Sequence, residues 1–339
     1  MSRNTNIIVF VLLMVFLYGQ SDAQTKLSAQ SIMKFLNISV GARAAGMGDS
    51  FITNGDDVSV AFWNPAGIGH IEGFNTMVEM NRWISGVNQY SFVTSKDIGD
   101  YGVVGLTFTM MDYGEIQGTT IDLVSAGSGA FEYTETGNVK VSNFALGLVY
   151  ARAISNQFSI GGQIRYVYSG LGSNMIQTTG ALERLDNNLS AISFDLGTRF
   201  NTEYKDLTFS MSLRNFSREV RYPRMSQGYY LPLLFTLGFS IDAAALMIPE
   251  NGLHSLVVSV NGLHPMDYSE KVNIGAEYGF QKQFFLRGGY KYNYSIESYS
   301  TGIGLRYPIS DKEYLQFDYS FTAIEYFSGV HRISISSRF

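Results

Sequence analysis

The sequence predicts an all-β protein: a transmembrane antiparallel β-barrel of about fourteen strands with an N-terminal plug segment. Three observations predict this fold. From residue 74 onward, large apolar residues alternate with small or charged ones at a period of two. The chain opens with the layout of a secretory signal. Only 16% of its 339 residues are charged, while 45% are hydrophobic and 14% aromatic.

The first residues have the order of a cleavable signal peptide. Arg3 supplies a positive charge, residues 7–18 form an apolar run without charges, and Ser21 and Ala23 suit the −3 and −1 positions of a cleavage site. The run is short for a membrane-spanning helix, which needs about 20 residues. We therefore expect a signal peptide over 1–23; an uncleaved anchor is the less favoured alternative.

The alternation predicts which face of each strand meets lipid. In 104–110 the large residues are Val104, Leu106, Phe108 and Met110, and between them stand Gly105, Thr107 and Thr109. Later segments repeat this, and their second face mixes small residues with charges of both signs. A soluble sheet protein is the alternative, but small residues beside opposite charges suit an enclosed polar lumen, and Tyr at strand ends suits an interfacial girdle.

This pattern divides the chain into a plug over 24–72 and a barrel over 73–339. We expect short turns on the periplasmic side and long extracellular loops over 112–137, 170–189 and 215–230. A turn over 242–252 is expected to contain helix. The predicted strands are 74–83, 87–96, 101–111, 138–152, 156–169, 190–202, 205–214, 231–242, 253–261, 270–280, 283–293, 298–308, 313–323 and 328–339.

One motif stands out in the plug. Its run includes Gly41, Ala42, Arg43, Met47 and Gly48, then the acidic pair Asp56 and Asp57, then Asn64, Pro65, Ala66 and Gly67. This order resembles the PorV/PorQ family, a branch of the FadL-like outer-membrane barrels, most strongly over 35–72. The resemblance implies a fourteen-stranded barrel with its N-terminal segment tucked inside. It also implies a role in type IX secretion, binding cargo C-terminal domains or attachment-complex partners, whereas wider FadL-like proteins move hydrophobic molecules.

The motif also has a purely structural interpretation, which we favour. Pro65 fixes its own φ and keeps Asn64 out of the helical region, so that Asn64 is free to bond nearby backbone. The glycines permit a close approach to the barrel wall. Arg43 has possible partners in three lumen carboxylates, those of Asp195, Glu277 and Asp318. On this interpretation the motif packs the plug and binds no ligand.

Charged residues on the small-residue face are expected to lie in the lumen. We expect them to form a paired network, because an isolated buried charge is costly; selection of an anionic solute is the alternative. The cations are Arg165, Arg199, Arg214, Arg287, Lys291 and Arg306, and the anions are Asp195, Asp242, Glu277 and Asp318.

Little in the sequence points to catalysis, metal binding or nucleic acid. Cys is absent, the 4 His residues are scattered, and the net charge is −5. A Ser–His pair at the barrel rim, near His254 or His331, is a minor alternative. Asp49 and the acidic pair lack the spacing of a calcium loop. We therefore predict a non-enzyme without cofactor or metal.

The function predicted first is an accessory barrel of PorV/PorQ type in type IX secretion. The alternative is a FadL-like channel for hydrophobic small molecules, with an apolar pocket above the plug and a lateral opening at a kinked strand. Phe339 ends the last strand and resembles an insertion signal. Expected partners are outer-membrane lipid, the insertion machinery and secretion proteins or cargo. The expected location is the outer membrane of a Gram-negative-type bacterium.

Overall fold

A computed structural model describes residues 31–121, 133–178, 181–202, 204–222, 226–247 and 253–339. The expected signal peptide over 1–23 lies outside the described residues, as do the start of the plug and parts of the three long loops. Among the described residues, no helix has both the length and the apolar character needed to cross a membrane.

Fourteen strands close into an antiparallel barrel, as the sequence predicts. Consecutive strands pair with each other; β3 pairs with β6, and β1 closes the barrel against β16. The two remaining strands, β4 and β5, form a separate hairpin. In chain order the strands are β1 Phe74–Arg82, β2 Asn88–Asp97, β3 Val103–Asp112, β4 Ile116–Ile121, β5 Tyr133–Val139, β6 Ser142–Ala153, β7 Phe158–Thr178, β8 Ala181–Asn201, β9 Thr208–Ser217, β10 Leu234–Asp242, β11 His254–Pro265, β12 Lys271–Phe280, β13 Phe284–Tyr292, β14 Glu297–Pro308, β15 Tyr314–Ile324 and β16 Val330–Arg338.

The two faces of the strands differ as the alternation predicts. In β3 the side chain of Thr107 is buried, whereas Leu106 and Met110 are exposed. Across the barrel the exposed set is dominated by large apolar and aromatic residues, and the inward set by small, polar and charged ones. A closed barrel with an apolar exterior satisfies its backbone internally and can face lipid. This architecture confirms the predicted outer-membrane location.

The strands depart from their predicted bounds mainly on the extracellular side. β7 and β8 continue their ladder past Gly170, where the sequence predicted a loop over 170–189. The register shifts between Gly170 and Ser173, and Gly172 has a φ of +80°. Such an irregularity breaks the alternation while allowing pairing to resume beyond it. The loop predicted over 112–137 likewise contains the β4–β5 hairpin.

Residues 31–72, here called the plug, lie within the barrel. Their helical elements are 3₁₀ turns at Lys34–Asn37, Val58–Phe62 and Pro65–His70 and the short helix α1 at Ala42–Gly46. A second short helix, α2 at Ala244–Met247, occupies the expected helical turn after β10. Plug side chains such as Val60 and Ile68 pack against inward residues of the first strands, including Val93. Burial of this apolar surface favours a plug seated in the barrel.

Candidate functional site

The Asn-Pro-Ala-Gly turn of the plug rests directly on the barrel wall. Asn64 Oδ1 accepts a hydrogen bond from the Ala66 N–H at 3.1 Å and so caps the turn at Pro65–His70. The Asn64 side-chain amide donates to two carbonyls, at 2.9 Å to Ile52 in the plug and at 3.1 Å to Thr198 in β8. The asparagine therefore joins the plug to the wall.

Glycines on the wall make this contact possible. A Cβ at Gly197 would lie 1.9 Å from Asn64 Oδ1, and one at Gly161 would lie 2.5 Å from the Pro65 carbonyl carbon. Gly48 of the plug behaves similarly toward β13, where an added Cβ would stand 2.9 Å from the Tyr290 nitrogen. The plug and the wall thus touch backbone to backbone at several points.

The other motif residues are buried and serve the packing of the plug. Ala42 and Ala66 are inaccessible to solvent, and the Met47 backbone lies against Gly275 of β12. An added Cβ at Gly67 would collide with the Val60 methyl groups. Asp57 caps the turn at Val58–Phe62 by accepting from the Ser59 N–H at 2.8 Å.

Arg43 is the main ionic link between plug and wall. Its guanidinium donates to both oxygens of Glu277 in β12, at 2.8 and 2.6 Å, and to Asp56 Oδ1 at 2.8 Å. Asp57 lies within 3.6 Å. Of the three carboxylates that the sequence left open for Arg43, the structure places Glu277 against it. A buried bidentate pair of this kind forms only when the guanidinium and the carboxylate are aligned to make two parallel hydrogen bonds.

The lumen charges Arg287, Asp318 and Arg306 extend the same network. Arg287 bridges Glu277 and Asp318, at 2.6 Å to each. Gln316 donates to the second Asp318 oxygen at 2.8 Å, and Arg306 in turn donates to Gln316 at 2.7 Å. The network crosses four neighbouring strands, β12 to β15, and ends at the plug.

Arg165 pairs with Asp195 on the far side of the lumen, at 2.8 Å, and the pair sits at a bulge. Residues Arg214 and Asn215 of β9 together oppose Asp195 of β8, and Asn215 has a φ of +63°. The Asn215 N–H donates to the Asp195 carboxylate at 2.7 Å. The bulge thereby turns two successive β9 side chains into the lumen.

Two predicted members of the paired network have other partners. Arg199 donates to the Thr53 carbonyl at 2.9 Å, and Arg214 donates to the Phe62 carbonyl at 2.8 Å. Among the described residues neither has a carboxylate within 4.0 Å. Asp242, expected in the same network, instead accepts backbone N–H groups of Ala244 and Leu256. The hydrogen-bond partners of these charges are backbone groups, which a pattern of charged residues does not reveal.

At the periplasmic mouth, neighbouring cations lower the pKa of two carboxyl groups. Partial removal from water acts to raise the pKa of Asp56, whose side chain is half exposed, but Arg43 and Arg306 outweigh this effect and hold that pKa well below its ordinary value. The exposed Glu72 has its pKa lowered by a hydrogen bond from Lys312 at 2.8 Å. Both groups are therefore carboxylates at neutral pH.

Above the plug, on the extracellular side, lies an open cavity of about 440 Å³. Trp63 of the plug and Trp83 beyond β1 both line it, and they are the 2 tryptophans of the chain. Leu234, Leu263 and Pro265 add apolar wall, and charged side chains, among them Lys271 and Glu297, line the cavity as well. The guanidinium of Arg214 lies 5.1 Å from the Trp63 ring centroid and closes its floor. Sequence reasoning missed Trp83, whose position after a strand end carries no distinguishing signal.

Two further spaces flank the plug. A small gap of about 20 Å³, enough for a water molecule, lies beside Arg214 and Trp63 between Phe35, Leu36 and the polar wall. A second open cavity of about 280 Å³ faces the periplasm beside Phe51, Asp56 and Ser259.

The lipid-facing wall carries an apolar groove of about 470 Å³ next to the bulge. Outward side chains of β6 to β10 line it, among them Tyr150, Leu196 and Met211, and Gly162 leaves a notch in its floor. The inner face of the same wall is where Gly161 and Gly197 touch the plug. The wall is thus thinnest where the outer groove and the Asn-Pro-Ala-Gly turn meet.

The described part of the chain holds no group of three or more His, Asp or Glu arranged for a metal ion. The two histidines considered for a rim Ser–His pair contact tyrosines instead: His254 bonds Tyr278 at 2.7 Å and His331 bonds Tyr319 at 2.8 Å. Phe339 exchanges two backbone hydrogen bonds with Phe74, at 2.6 and 2.8 Å, and so completes the closing ladder.

No family profile matches the chain, and neither does any curated protein. Solved structures with this fold include the Ralstonia pickettii toluene transporter TbuX, at TM-score 0.54 and 13% identity over 89% of this chain and 98% of that one. The CymD monoaromatic hydrocarbon channel has TM-score 0.54 and 10% identity over 88% and 96%. A Pseudomonas aeruginosa FadL homologue has TM-score 0.51 and 12% identity over 86% and 96%. The chain therefore has the FadL-like outer-membrane barrel fold.

Proposed function

We propose that this barrel is a non-enzymatic channel for the uptake or export of hydrophobic small molecules. The observation that carries the proposal is the extracellular cavity, where the two tryptophans and nearby aliphatic side chains form an apolar part of a wall that also carries charged side chains. An apolar surface beside a few polar groups suits a mainly apolar ligand. The similar solved structures point the same way, since those named above include a toluene transporter and a monoaromatic hydrocarbon channel.

A lateral route through the wall is part of the proposal. The alternative function predicted a kinked strand beside a lateral opening; the β9 bulge and the apolar groove outside it stand next to each other. In the conformation described, the plug turn at Asn64 and Pro65 seals the wall from inside through its contacts with Gly161 and Gly197. Passage by this route therefore requires the turn to move.

The two tryptophans supply a direct binding test. Purified barrel in detergent micelles is titrated with naphthalene, with a long-chain alcohol and with glucose, and intrinsic tryptophan fluorescence is followed. Saturable quenching by the apolar compounds but not by glucose is expected. Leu263→Arg, which places a charge in the cavity wall, is expected to weaken that binding, whereas Glu72→Gln at the opposite mouth serves as the control. Absence of saturable quenching in the unaltered protein would refute the proposal.

The PorV/PorQ-type role in type IX secretion is the second candidate. It rests on the motif over 35–72, from Gly41 to Gly67, and none of the comparisons supports it. Its partners would be cargo C-terminal domains or attachment-complex proteins at the extracellular loops, in addition to outer-membrane lipid and the insertion machinery. Affinity purification from the outer membrane tests it: recovery of no secretion component and no cargo domain would exclude this role.

A further inference from the structure

Adjacent residues of the plug line the extracellular cavity and the periplasmic cavity. Asp49 lines the extracellular cavity and the next residue, Ser50, lines the periplasmic one. The wall shows the same division, since Asn273 of β12 borders the first cavity and Ser259 of β11 borders the second. A molecule crossing the lumen on this side meets the Asp49–Ser50 peptide as the barrier.

The Asp49–Ser50 peptide is held to the wall by polar bonds. Lys291 Nζ lies 2.5 Å from Asp49 Oδ2, an oxygen that also accepts from Ser39 Oγ at 2.5 Å. Wall side chains hold the backbone: Ser259 Oγ donates to the Ser50 carbonyl at 2.8 Å, and the amide of Asn261 donates to the Asp49 carbonyl at 3.3 Å. Each of these bonds can be exchanged for a bond to water.

Two features show that this closed arrangement is held at a cost. Gly48 and Asp49 both have a φ of +63°, and the left-handed region is unfavourable for a residue with a Cβ such as Asp49. In addition, Asp49 Oδ1 is buried and has no hydrogen-bond partner among the described residues. A buried carboxylate oxygen without a partner is unfavourable, so opening toward water relieves it.

We propose that the Asp49–Ser50 peptide is the gate of the lumen and that Lys291 is the latch that keeps it closed. The gate controls the passage of small molecules between the extracellular cavity and the periplasmic one. This inference rests on the proposed channel function and names the barrier on the route along the lumen, which is separate from the lateral route past the turn at Asn64 and Pro65. The Asp49–Ser50 peptide moves away from β11 and β12, while the opposite side of the plug stays packed against the first strands.

Ion conductance in planar lipid bilayers tests the gate without any hydrophobic ligand. Unaltered protein is expected to be closed for most of the time. Asp49→Ala removes the latched carboxylate and Lys291→Met removes its cation; each is expected to raise the time-averaged conductance by roughly tenfold or more, the change in population that follows from losing a charge-assisted hydrogen bond. Heat-modifiable migration in gels shows that each variant is a folded barrel.

A matched pair of serine variants provides a milder test and its control. Ser259→Ala removes a wall hydroxyl that bonds the Ser50 carbonyl, and a smaller rise in conductance is expected. Ser159→Ala removes an equivalent hydroxyl, which bonds the Ala66 carbonyl at 2.9 Å on the opposite side of the plug, and is expected to change nothing. Unchanged conductance in both folded gate variants and in Ser259→Ala, or an equal rise in Ser159→Ala, would overturn the gate. Tryptophan quenching remains a separate measurement, so a failure of ligand binding is distinguishable from a failure of the gate.

Discussion

The plug meets the barrel through two unlike faces. Toward β1, β2, β3 and β6 its contacts are mainly apolar, with Ile68 and Val60 packed beside Val93 and Val149, and the gap on this side holds about 20 Å³. Toward β11, β12 and β13 its contacts are hydrogen bonds and ion pairs, and open cavities lie above and below them. Apolar packing loses stabilisation whenever it separates, whereas polar bonds are partly replaced by water. The first face therefore anchors the plug and the second allows it to move.

The largest effect is expected at Arg43, which ties the polar face to Glu277. Arg43→Met leaves the buried Glu277 and Asp57 with less compensating charge, and breaking a buried pair costs about 3–5 kcal/mol. Denaturant unfolding of the micelle-bound barrel should show a fall in unfolding free energy of that order. A fall no larger than that of a surface substitution would mean that the polar face does not hold the plug.

The apolar face is probed by Ile68→Ala. Ile68 is inaccessible to solvent, so truncation leaves a cavity and is expected to lower the unfolding free energy by about 2–5 kcal/mol. The comparison sharpens if bilayer conductance is measured as well. Ile68→Ala should destabilise the protein while its conductance stays that of the unaltered barrel, because the gate lies on the other face. A conductance rise equal to that of Asp49→Ala would contradict the division into two faces.

A smaller effect is expected where the wall is thinnest. Gly197→Ala places a methyl group on Asn64 Oδ1 and pushes the Asn-Pro-Ala-Gly turn away, at a cost of about 1–3 kcal/mol for overpacking. Gly162→Ala is the matched control, because its added Cβ would lie 3.5 Å from Leu196 Cδ2, an ordinary contact on the lipid side. The unfolding midpoint of Gly197→Ala should lie below that of Gly162→Ala. Equal midpoints would show that the turn can shift without loss of stability.

The smallest effect is expected at the periplasmic rim. Lys312 and Glu72 form an exposed ion pair at 2.8 Å, and exposed pairs contribute little because water and salt screen them. Lys312→Met should leave the unfolding midpoint and the conductance unchanged within error. A clear shift in either would show that the rim, and not the interior of the lumen, holds the plug.

The barrel was predictable because its signal is local. Alternation in a segment such as 104–110 states which side chains meet lipid, and fourteen such segments give the strand count. The extension of the β7–β8 ladder was not predicted, because the irregularity at Gly170 interrupts that alternation. The rules that found the strands therefore fail where a bulge shifts the register.

The lumen was predictable only in part. Charges of both signs on one face indicated ion pairs, and Arg287 and Arg165 have carboxylate partners. Arg199 and Arg214 instead bond plug carbonyls, and every residue carries a carbonyl, so no pattern of side chains marks these partners. Asp49 stood out in the sequence only as an acidic residue beside Gly48; its position between two cavities is a property of the folded plug.

The pairing of Phe74 with Phe339 joins the first strand to the last across nearly the whole barrel sequence. Residues 31–72 precede that first strand, yet they end up enclosed by strands made much later, β12 to β15 among them. A contact so distant along the chain forms slowly. The plug contacts with β12 to β15 cannot form before those strands do, so the seating of the N-terminal segment and the closure of the barrel both belong to the last steps of assembly.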